Sequence, residues 1–173
     1  HFPLVRGAEN IKKVWALRTA GLGLLSNIPG DKRSTTVIED TAVAPEYMAD
    51  YMKDFDVLLE KYGLSCVKYA HIATGEIHLR PLLNLKDEAD VELYHTLARE
   101  VAALVKKYRG SLSGEHGDGR LRGEFIPFML GEHNYRLIKE LKQTWDPHHL
   151  LNPGKIIDTP PITENLRYLT GRH

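Results

Sequence analysis

The chain has 173 residues, and its 23 lysines and arginines balance its 23 aspartates and glutamates, so the formal net charge is zero. That length suits one domain with a sizeable core, while the balanced charge argues against binding to nucleic acid or to an anionic membrane surface. The single cysteine, Cys66, excludes an intramolecular disulfide and suits a reducing compartment, and no apolar run approaches the roughly 18 residues of a transmembrane segment.

Helical and extended segments alternate in the first third of the chain. Apolar residues at helical spacing predict a helix over residues 9–27. Residues 35–38 are all β-branched and are predicted to form a strand. A second apolar periodicity predicts a helix over residues 45–62, and Gly63 is the residue type that ends helices.

A hairpin and two further helices are predicted downstream. Residues 67–72 and 77–83 are predicted to be two strands on either side of a tight turn. Helical periodicity then predicts a long helix over residues 86–108 and a last one over residues 134–145. The mixture predicts an α+β domain with an antiparallel sheet and helices packed on one face. The prolines that follow residue 158 indicate that residues 159–173 form a linker or tail.

The stretch HIATGEIH places two histidines symmetrically about the predicted turn. Counting outward from Thr74 and Gly75 sets His71 directly opposite His78. Directly opposed residues of an antiparallel pair have Cβ atoms roughly 4.5–5.5 Å apart on one face of the sheet. Two imidazoles at that distance can share a metal ion, or they can form a cross-strand pair with no ligand. A zinc site would need a further ligand, often a carboxylate.

The same count assigns the neighbouring side chains to faces of the hairpin. Arg80 is predicted to lie on the face of the two histidines, because side chains alternate with a period of two residues. Ile72 and Ile77 are predicted to point to the opposite face, into the core. The carboxylate that a metal site requires therefore has to come from elsewhere in the chain.

Residues 113–120, SGEHGDGR, combine reactive side chains with three glycines. The segment is either a polar surface turn or an active-site loop whose backbone approaches a ligand closely. In the second case the glycines would let Glu115 reach the histidine pair as the missing carboxylate while His116 projects in another direction. The residues alone leave both possibilities open.

The order HIATGEIHLRPLL, SGEHGDGRLRGEF and WDPHHLLNPGK resembles the C-terminal domain of FAD-linked oxidases. These are flavoproteins of the vanillyl-alcohol-oxidase type, which include D-lactate and D-2-hydroxyglutarate dehydrogenases. The resemblance extends from about Val14 to Asp158. The segments IEDTAV and LRPLL are most similar to the branch in which the flavin domain is fused to an iron–sulfur region, which implies a cluster elsewhere in the parent chain.

The resemblance implies a fold and a partner. Residues 1–158 would form a ferredoxin-like α+β cap with additional C-terminal helices, a fragment of a longer flavoprotein. The cap would cover the isoalloxazine ring of FAD, which a separate domain of the same parent chain holds. The fragment would be inactive without that FAD-binding domain. Localisation would be cytoplasmic, with peripheral contact to a membrane through an electron acceptor.

The resemblance also implies roles for single residues. His71, His78 and Glu115 match the ligands of a divalent metal, for which zinc is the expected ion. His116 matches the catalytic base. The residues that match substrate and flavin contacts are Arg18, in VWALR, for the substrate carboxylate, with Arg80 as second choice, and Asn152, in LLNPGK, near the flavin.

The sequence departs from the family pattern at the hairpin turn. Many relatives have His-Ala-Gly-Asp-Gly-Asn-Leu-His, whereas this chain has Thr74 and Glu76 at the Asp and Asn positions. Both histidines are kept, so the implied metal pair is intact. Arg80 stands where some dehydrogenases have asparagine, which would change the substrate pocket.

The implied activity is oxidation of a D-2-hydroxy acid, of the D-lactate or 2-hydroxyglutarate class. Metal-assisted removal of the hydroxyl proton would accompany hydride transfer to flavin. Two other readings remain. One is a metal-dependent hydrolase, which would need no flavin, and the other is a non-catalytic module that mediates assembly.

Overall fold

A computed structural model of the protein describes residues 4–171, except for the side chains of residues 22 and 24–26. The first three residues of the predicted domain and the last two of the predicted tail therefore lie outside the described residues. In this range the chain forms five α-helices, namely α1 (Ala8–Ser26), α2 (Met48–Lys61), α3 (Glu88–Lys107), α4 (Ile126–Leu130) and α5 (Glu132–Trp145). Four strands are present, namely β1 (Arg33–Ser34), β2 (Thr41–Ala42), β3 (Cys66–His71) and β4 (Glu76–Leu83).

Strand β4 organises the sheet, since β1, β2 and β3 all pair with it in antiparallel orientation. The pairing with β3 is the most extensive and extends from Cys66↔Pro81 to His71↔Glu76. The α+β class with an antiparallel sheet is thereby confirmed. The predicted helices are confirmed as well, with a 3-10 turn at Pro45–Tyr47 leading into α2.

The two faces of β4 differ in chemistry. Its apolar side chains enter the main core with residues of α2 and α3, namely Ile77, Leu79 and Leu83 with Tyr51, Phe55, Leu97, Val101 and Val105. The alternate residues of β4, Glu76, His78 and Arg80, point to the other face by the two-residue period of a strand. One face of the hairpin therefore packs into the core, and the other face presents polar and charged side chains.

The predicted strand over residues 35–38 is wrong. Residues 37–40 form a turn, and only the flanking pairs 33–34 and 41–42 join the sheet. Val37 and Ile38 are buried at 4% and 3% exposure, so their β-branched side chains fill the core without forming a ladder. Asp40 closes the turn with φ 78°, in the left-handed region that a strand cannot contain.

The segment beyond residue 158 packs against the domain. Ile162 is buried in the core, and its backbone N–H donates to Glu124 Oε2 at 2.8 Å. Gly123 faces Thr159 so closely that an added Cβ would lie 2.2 Å from the threonine Cγ2. The boundary at residue 158 between domain and linker or tail stays a prediction.

None of the helices in the described range has the length and apolar character needed to cross a bilayer. Even α1, which is 19 residues long, carries charged residues throughout its first half.

Burial makes the thiol of Cys66 unreactive. Cys66 begins β3, and burial raises the pKa of its thiol to about 12. The thiolate is the reactive form, so we expect the folded chain to react with a disulfide reagent at pH 8 at least about 100-fold more slowly than the same chain in urea. Equal rates in the folded and unfolded chain would contradict this expectation.

Candidate functional site

The register of the hairpin differs from the predicted one by two residues. Tyr69, not His71, stands opposite His78, and His71 stands opposite Glu76. Ile72–Thr74 form a 3-10 turn that ends at Gly75, so β3 already ends at His71. Gly75 has φ 79°, and a Cβ there would lie 2.0 Å from the Val43 carbonyl oxygen.

The slip leaves the histidine pair intact, because a shift of two residues preserves the face of every side chain. His71 and His78 are diagonal neighbours with ring centroids 5.2 Å apart. Ile77 is buried as predicted, whereas Ile72 lies on the turn and is 65% exposed, so its predicted core position is wrong.

Glu115 reaches both histidines from the distant glycine-rich loop. Its Oε1 lies 3.7 Å from His71 Nε2 and 3.7 Å from His78 Nε2. Glu76 joins them, with its Oε1 at 3.3 Å from His78 Nε2. One ligand atom from each of these four residues lies within 4.8 Å of the others. We call this group the His–Glu cluster.

The chemistry of the His–Glu cluster fits a divalent cation. Burial lowers the pKa of His78, which favours the neutral imidazole that binds metals. Burial, the hydrogen bond with Asp40 and the charge of Glu115 raise the pKa of Glu76 to about 6. Within the described residues, His78 Nδ1 and Glu76 Oε1 are buried without a hydrogen-bond partner. Nitrogen and carboxylate donors of this kind are the set that zinc takes.

Asp40 fixes the loop that carries Glu115 and His116. Its carboxylate accepts hydrogen bonds from the backbone N–H of Glu115 at 2.9 Å and of His116 at 3.0 Å, and from Ser113 Oγ at 2.6 Å. Its backbone carbonyl accepts a further bond from the Gly114 N–H. Burial opposes ionisation of Asp40, but the hydrogen bonds outweigh it and lower the pKa. A fully buried carboxylate thus sets the position of the loop.

Arg122 holds the other end of the same loop. Its guanidinium donates to the Gly117 carbonyl at 3.0 Å and to the Glu39 carbonyl at 2.5 Å. Because Arg122 is buried, these bonds are shielded from water. The glycine-rich loop is therefore anchored at both ends, which favours the active-site loop over a mobile surface turn.

His116 lies beside the His–Glu cluster with both ring nitrogens facing carboxylates. Nε2 lies 3.3 Å from Glu115 Oε1, and Nδ1 lies 3.5 Å from Glu39 Oε1. The ring stacks on His78 at a centroid distance of 5.5 Å, and 42% of the side chain is exposed. A half-exposed imidazole between two carboxylates can exchange protons with a ligand bound at the cluster.

The two predicted arginines also lie at this face, and both are close to the same aromatic ring. The Cζ atoms of Arg18 and Arg80 lie 4.5 Å and 5.9 Å from the ring centroid of Tyr69. Tyr69 itself contacts His78 at 4.8 Å between centroids. Arg80 pairs with the buried Glu39 at 2.6 Å, whereas Arg18 extends from α1. Positive charge therefore stands next to the cluster.

Asn152 is the one predicted site residue that no described contact connects to the His–Glu cluster. It is exposed and has φ 48°. Its segment is held by Asp146, which accepts the Leu150 and Leu151 amides, and by a bond from Ile156 N–H to the Gly119 carbonyl. Its role near a flavin stays a prediction.

Comparison with known proteins gives a consistent set of relatives. Residues 2–156 match the family described as FAD linked oxidases, C-terminal domain. The chain is 43% identical over 168 residues to D-2-hydroxyglutarate dehydrogenase of Pseudomonas putida, covering 97% of this chain and 16% of that protein. It is 38% identical over 151 residues to D-2-hydroxyglutarate dehydrogenase of Escherichia coli, covering 87% and 15%. It is 28% identical over 128 residues to D-lactate dehydrogenase of Archaeoglobus fulgidus, covering 74% and 28%. The chain spans less than a third of the length of each of these relatives.

Proposed function

The chain belongs to the family of FAD-linked oxidase C-terminal domains, and we propose that it is the substrate-side domain of an FAD-dependent oxidoreductase that oxidises a D-2-hydroxy acid. The observation that carries this proposal is the convergence of His71, His78 and Glu115 beside His116 on one face of the hairpin. The relatives named D-2-hydroxyglutarate and D-lactate dehydrogenases support the substrate class.

His71, His78 and Glu115 would hold a divalent metal, zinc being the expected ion, with Glu76 adjacent as a further carboxylate. When bound, such a metal supplies Lewis-acid chemistry that lowers the pKa of a substrate hydroxyl. His78 is buried, and the loop that carries Glu115 is anchored by Asp40, so the His78 nitrogen and the Glu115 carboxylate are held in place before a ligand binds.

His116 would remove the proton from the substrate hydroxyl. Imidazole titrates near neutral pH, which suits a general base. Glu39 would orient the ring through Nδ1, which leaves Nε2 on the side of Glu115 and the cluster. The hydroxyl proton passes to the imidazole as the C–O bond gains double-bond character, and the product is a 2-oxo acid.

Arg18 would bind the substrate carboxylate, since a guanidinium presents two parallel N–H donors to a carboxylate. Its stacking on Tyr69 holds the side chain beside His78. The Cα hydrogen would leave with its electron pair to FAD, which supplies the oxidising chemistry and would be held by another domain of the parent chain. An iron–sulfur cluster in that parent chain, cytoplasmic localisation and a membrane-associated electron acceptor stay predictions, as does the contact of Asn152 with flavin.

A screen of the full-length flavoprotein tests the proposal. D- and L-2-hydroxy acids are supplied with an artificial electron acceptor, and reduction of the acceptor is followed. We expect turnover with D-2-hydroxy acids only. A chain that hydrolyses esters or amides with no flavin present would support the hydrolase reading. If His116→Ala left oxidation of the hydroxy acid by the full-length protein unchanged, the domain would instead be a non-catalytic module that mediates assembly.

Arg18→Lys is expected to raise the KM of the full-length enzyme for its hydroxy acid about tenfold or more, with a smaller change in kcat. Lysine keeps the charge but loses the two parallel hydrogen bonds and the stacking on Tyr69. Arg6→Lys, at an exposed arginine ahead of α1, is the matched control. An unchanged KM in the Arg18 variant would remove Arg18 from the substrate pocket.

A further inference from the structure

One carboxylate oxygen of Glu76 is buried without a hydrogen-bond partner. Glu76 is the first residue of β4 and is 6% exposed. Its Oε1 makes no hydrogen bond to any described residue, although it lies 3.3 Å from His78 Nε2. Buried carboxylates in folded proteins are almost always hydrogen-bonded, paired with a charge or bound to a metal. The oxygen beside His78 is therefore available to a ligand of the His–Glu cluster.

The distances between the donor atoms of the cluster are close to those around a single ion. Zinc binds nitrogen and carboxylate oxygen at about 2.0–2.2 Å, so neighbouring ligand atoms of a tetrahedral site are about 3.3–3.6 Å apart. Glu76 Oε1 and His78 Nε2 are 3.3 Å apart. Glu115 Oε1 lies 3.7 Å from the Nε2 atoms of His71 and His78. An ion held by the two histidines and Glu115 would thus lie within reach of Glu76 as well.

Asp40 is the neighbouring acid that could compete for this role. Together with Glu76, His78 and His116 it forms a second group whose ligand atoms lie within 4.8 Å of one another. Its carboxylate, however, already accepts three hydrogen bonds, from Ser113 Oγ and from two backbone amides of the loop. Binding a metal through Asp40 would compete with the bonds that hold the loop in place. Glu76 Oε1 accepts no such bond, so it is the better donor to an ion next to His78.

Gly114 leaves the space that the Glu76 side chain occupies. A Cβ added at residue 114 would lie 2.8 Å from Glu76 Cγ and 3.2 Å from its Cδ. Carbon atoms in favourable contact are about 3.5–4.0 Å apart, so a larger residue would push the carboxylate of Glu76 aside. Gly114 directly precedes Glu115. The loop that supplies one carboxylate to the cluster therefore also makes room for the other.

We propose that Glu76 is a fourth protein ligand of the divalent metal, together with His71, His78 and Glu115. This inference deepens the function proposed above and rests on it. Two carboxylates and two neutral imidazoles balance the charge of a divalent ion. That balance suits the buried end of the cluster, where an uncompensated charge would be strongly unfavourable.

Glu76→Gln in the full-length flavoprotein tests the proposal. Glutamine keeps the size of the side chain and can still hydrogen-bond with Asp40, but its neutral amide is a poor ligand for zinc. The zinc Kd is measured on metal-stripped protein by competition with a chromophoric chelator. We expect it to rise at least about 100-fold, since changes outside the ligand shell already weaken metal binding by about 10–100-fold. Glu92→Gln, at an exposed carboxylate on α3, is the matched control and should leave the zinc Kd unchanged.

The visible spectrum of the cobalt-loaded protein distinguishes a ligand from a mere neighbour of the ion. Co²⁺ is bound in place of zinc, and the spectrum of the metal-free protein is subtracted to remove the flavin absorbance. The d–d bands depend on the number and arrangement of the ligands. We expect these bands to change in Glu76→Gln and to stay unchanged in Glu92→Gln.

Gly114→Ala displaces the Glu76 carboxylate without removing it. We expect this change to raise the zinc Kd at least about tenfold in the native background. It should have little effect when residue 76 is already glutamine, because the added methyl group then displaces a side chain that no longer binds the ion. Gly21→Ala, on α1, is the control, since a Cβ there would meet no described atom within 4 Å. Equal effects of Gly114→Ala in both backgrounds would count against the proposal, because they would trace the loss to the adjacent Glu115.

The outcomes separate this inference from the proposed function. A weaker zinc affinity together with altered cobalt bands in Glu76→Gln supports the inference. Native affinity, or weaker affinity with unaltered bands, overturns it, while His71, His78 and Glu115 still form the site. If the native protein binds neither zinc nor cobalt, the metal-assisted part of the proposed function fails and the inference with it.

Discussion

His116→Asn is expected to lower the kcat of the full-length enzyme by about 10²–10⁴-fold while the enzyme keeps its flavin and its metal. General bases contribute a factor of this size, and asparagine preserves the polar shape of imidazole without its basicity. The structure gives the reason for choosing this histidine, because its two ring nitrogens lie 3.3 Å and 3.5 Å from the carboxylates of Glu115 and Glu39. Rapid mixing with substrate under anaerobic conditions measures the effect as the rate of flavin reduction.

His148→Asn is the matched control, since His148 is exposed in the segment after α5. It should leave flavin reduction unchanged. A His116 variant that reduces its flavin within a few-fold of the native rate would show that another group accepts the hydroxyl proton.

His78→Ala and Glu115→Gln are each expected to abolish metal binding, from about one ion per chain to nearly none, and to abolish turnover with it. A zinc site takes three or four protein ligands, so loss of one leaves too few donors of the right kind. His78 supplies the buried nitrogen of the cluster, and Glu115 supplies the oxygen that reaches both histidines. Elemental analysis of the purified full-length protein gives the metal content directly.

Glu140→Gln, at an exposed carboxylate on α5, controls for the general loss of a negative charge. It should keep full metal content. Native metal content in both cluster variants would mean that the ion lies elsewhere, and the His–Glu cluster would lose its proposed role.

The hairpin shows which part of the site can be predicted from sequence. Alternation with a period of two residues places His71 and His78 on one face whether the turn takes two residues or four. The face could therefore be predicted, but the register could not, because it depends on the turn at residues 72–75. Ile72 was misplaced for the same reason.

The roles of the buried acids Glu39 and Asp40 could not be predicted from local sequence patterns. Glu39 and Asp40 follow four β-branched residues, and that local pattern favours a strand. Their function comes from contacts with residues about 75 positions later, since Asp40 accepts the Glu115 amide with a separation of 75 residues. Such contacts have no local signal. The one available hint was an acidic pair inside an apolar run, which is unusual unless the charges are paired.

Glu76 and Arg18 show two further limits. Glu76 was noticed only as a departure from the family turn, yet the strand direction brings its carboxylate to 3.3 Å from His78. Arg18 lies on a helix whose neighbouring apolar side chains, such as Trp15 at 64%, are exposed, so helical periodicity could not tell a site residue from a surface one. Only the packing of α1 beside Tyr69 brings Arg18 to the site.

The most direct test is the rate at which D-2-hydroxyglutarate reduces the flavin of the full-length protein before and after its metal is removed by a chelator. If the two imidazoles and the loop carboxylate hold an ion that acts on the substrate hydroxyl, the stripped protein should keep its flavin oxidised, and added zinc should restore reduction. Reduction of the stripped protein at the native rate would contradict the account.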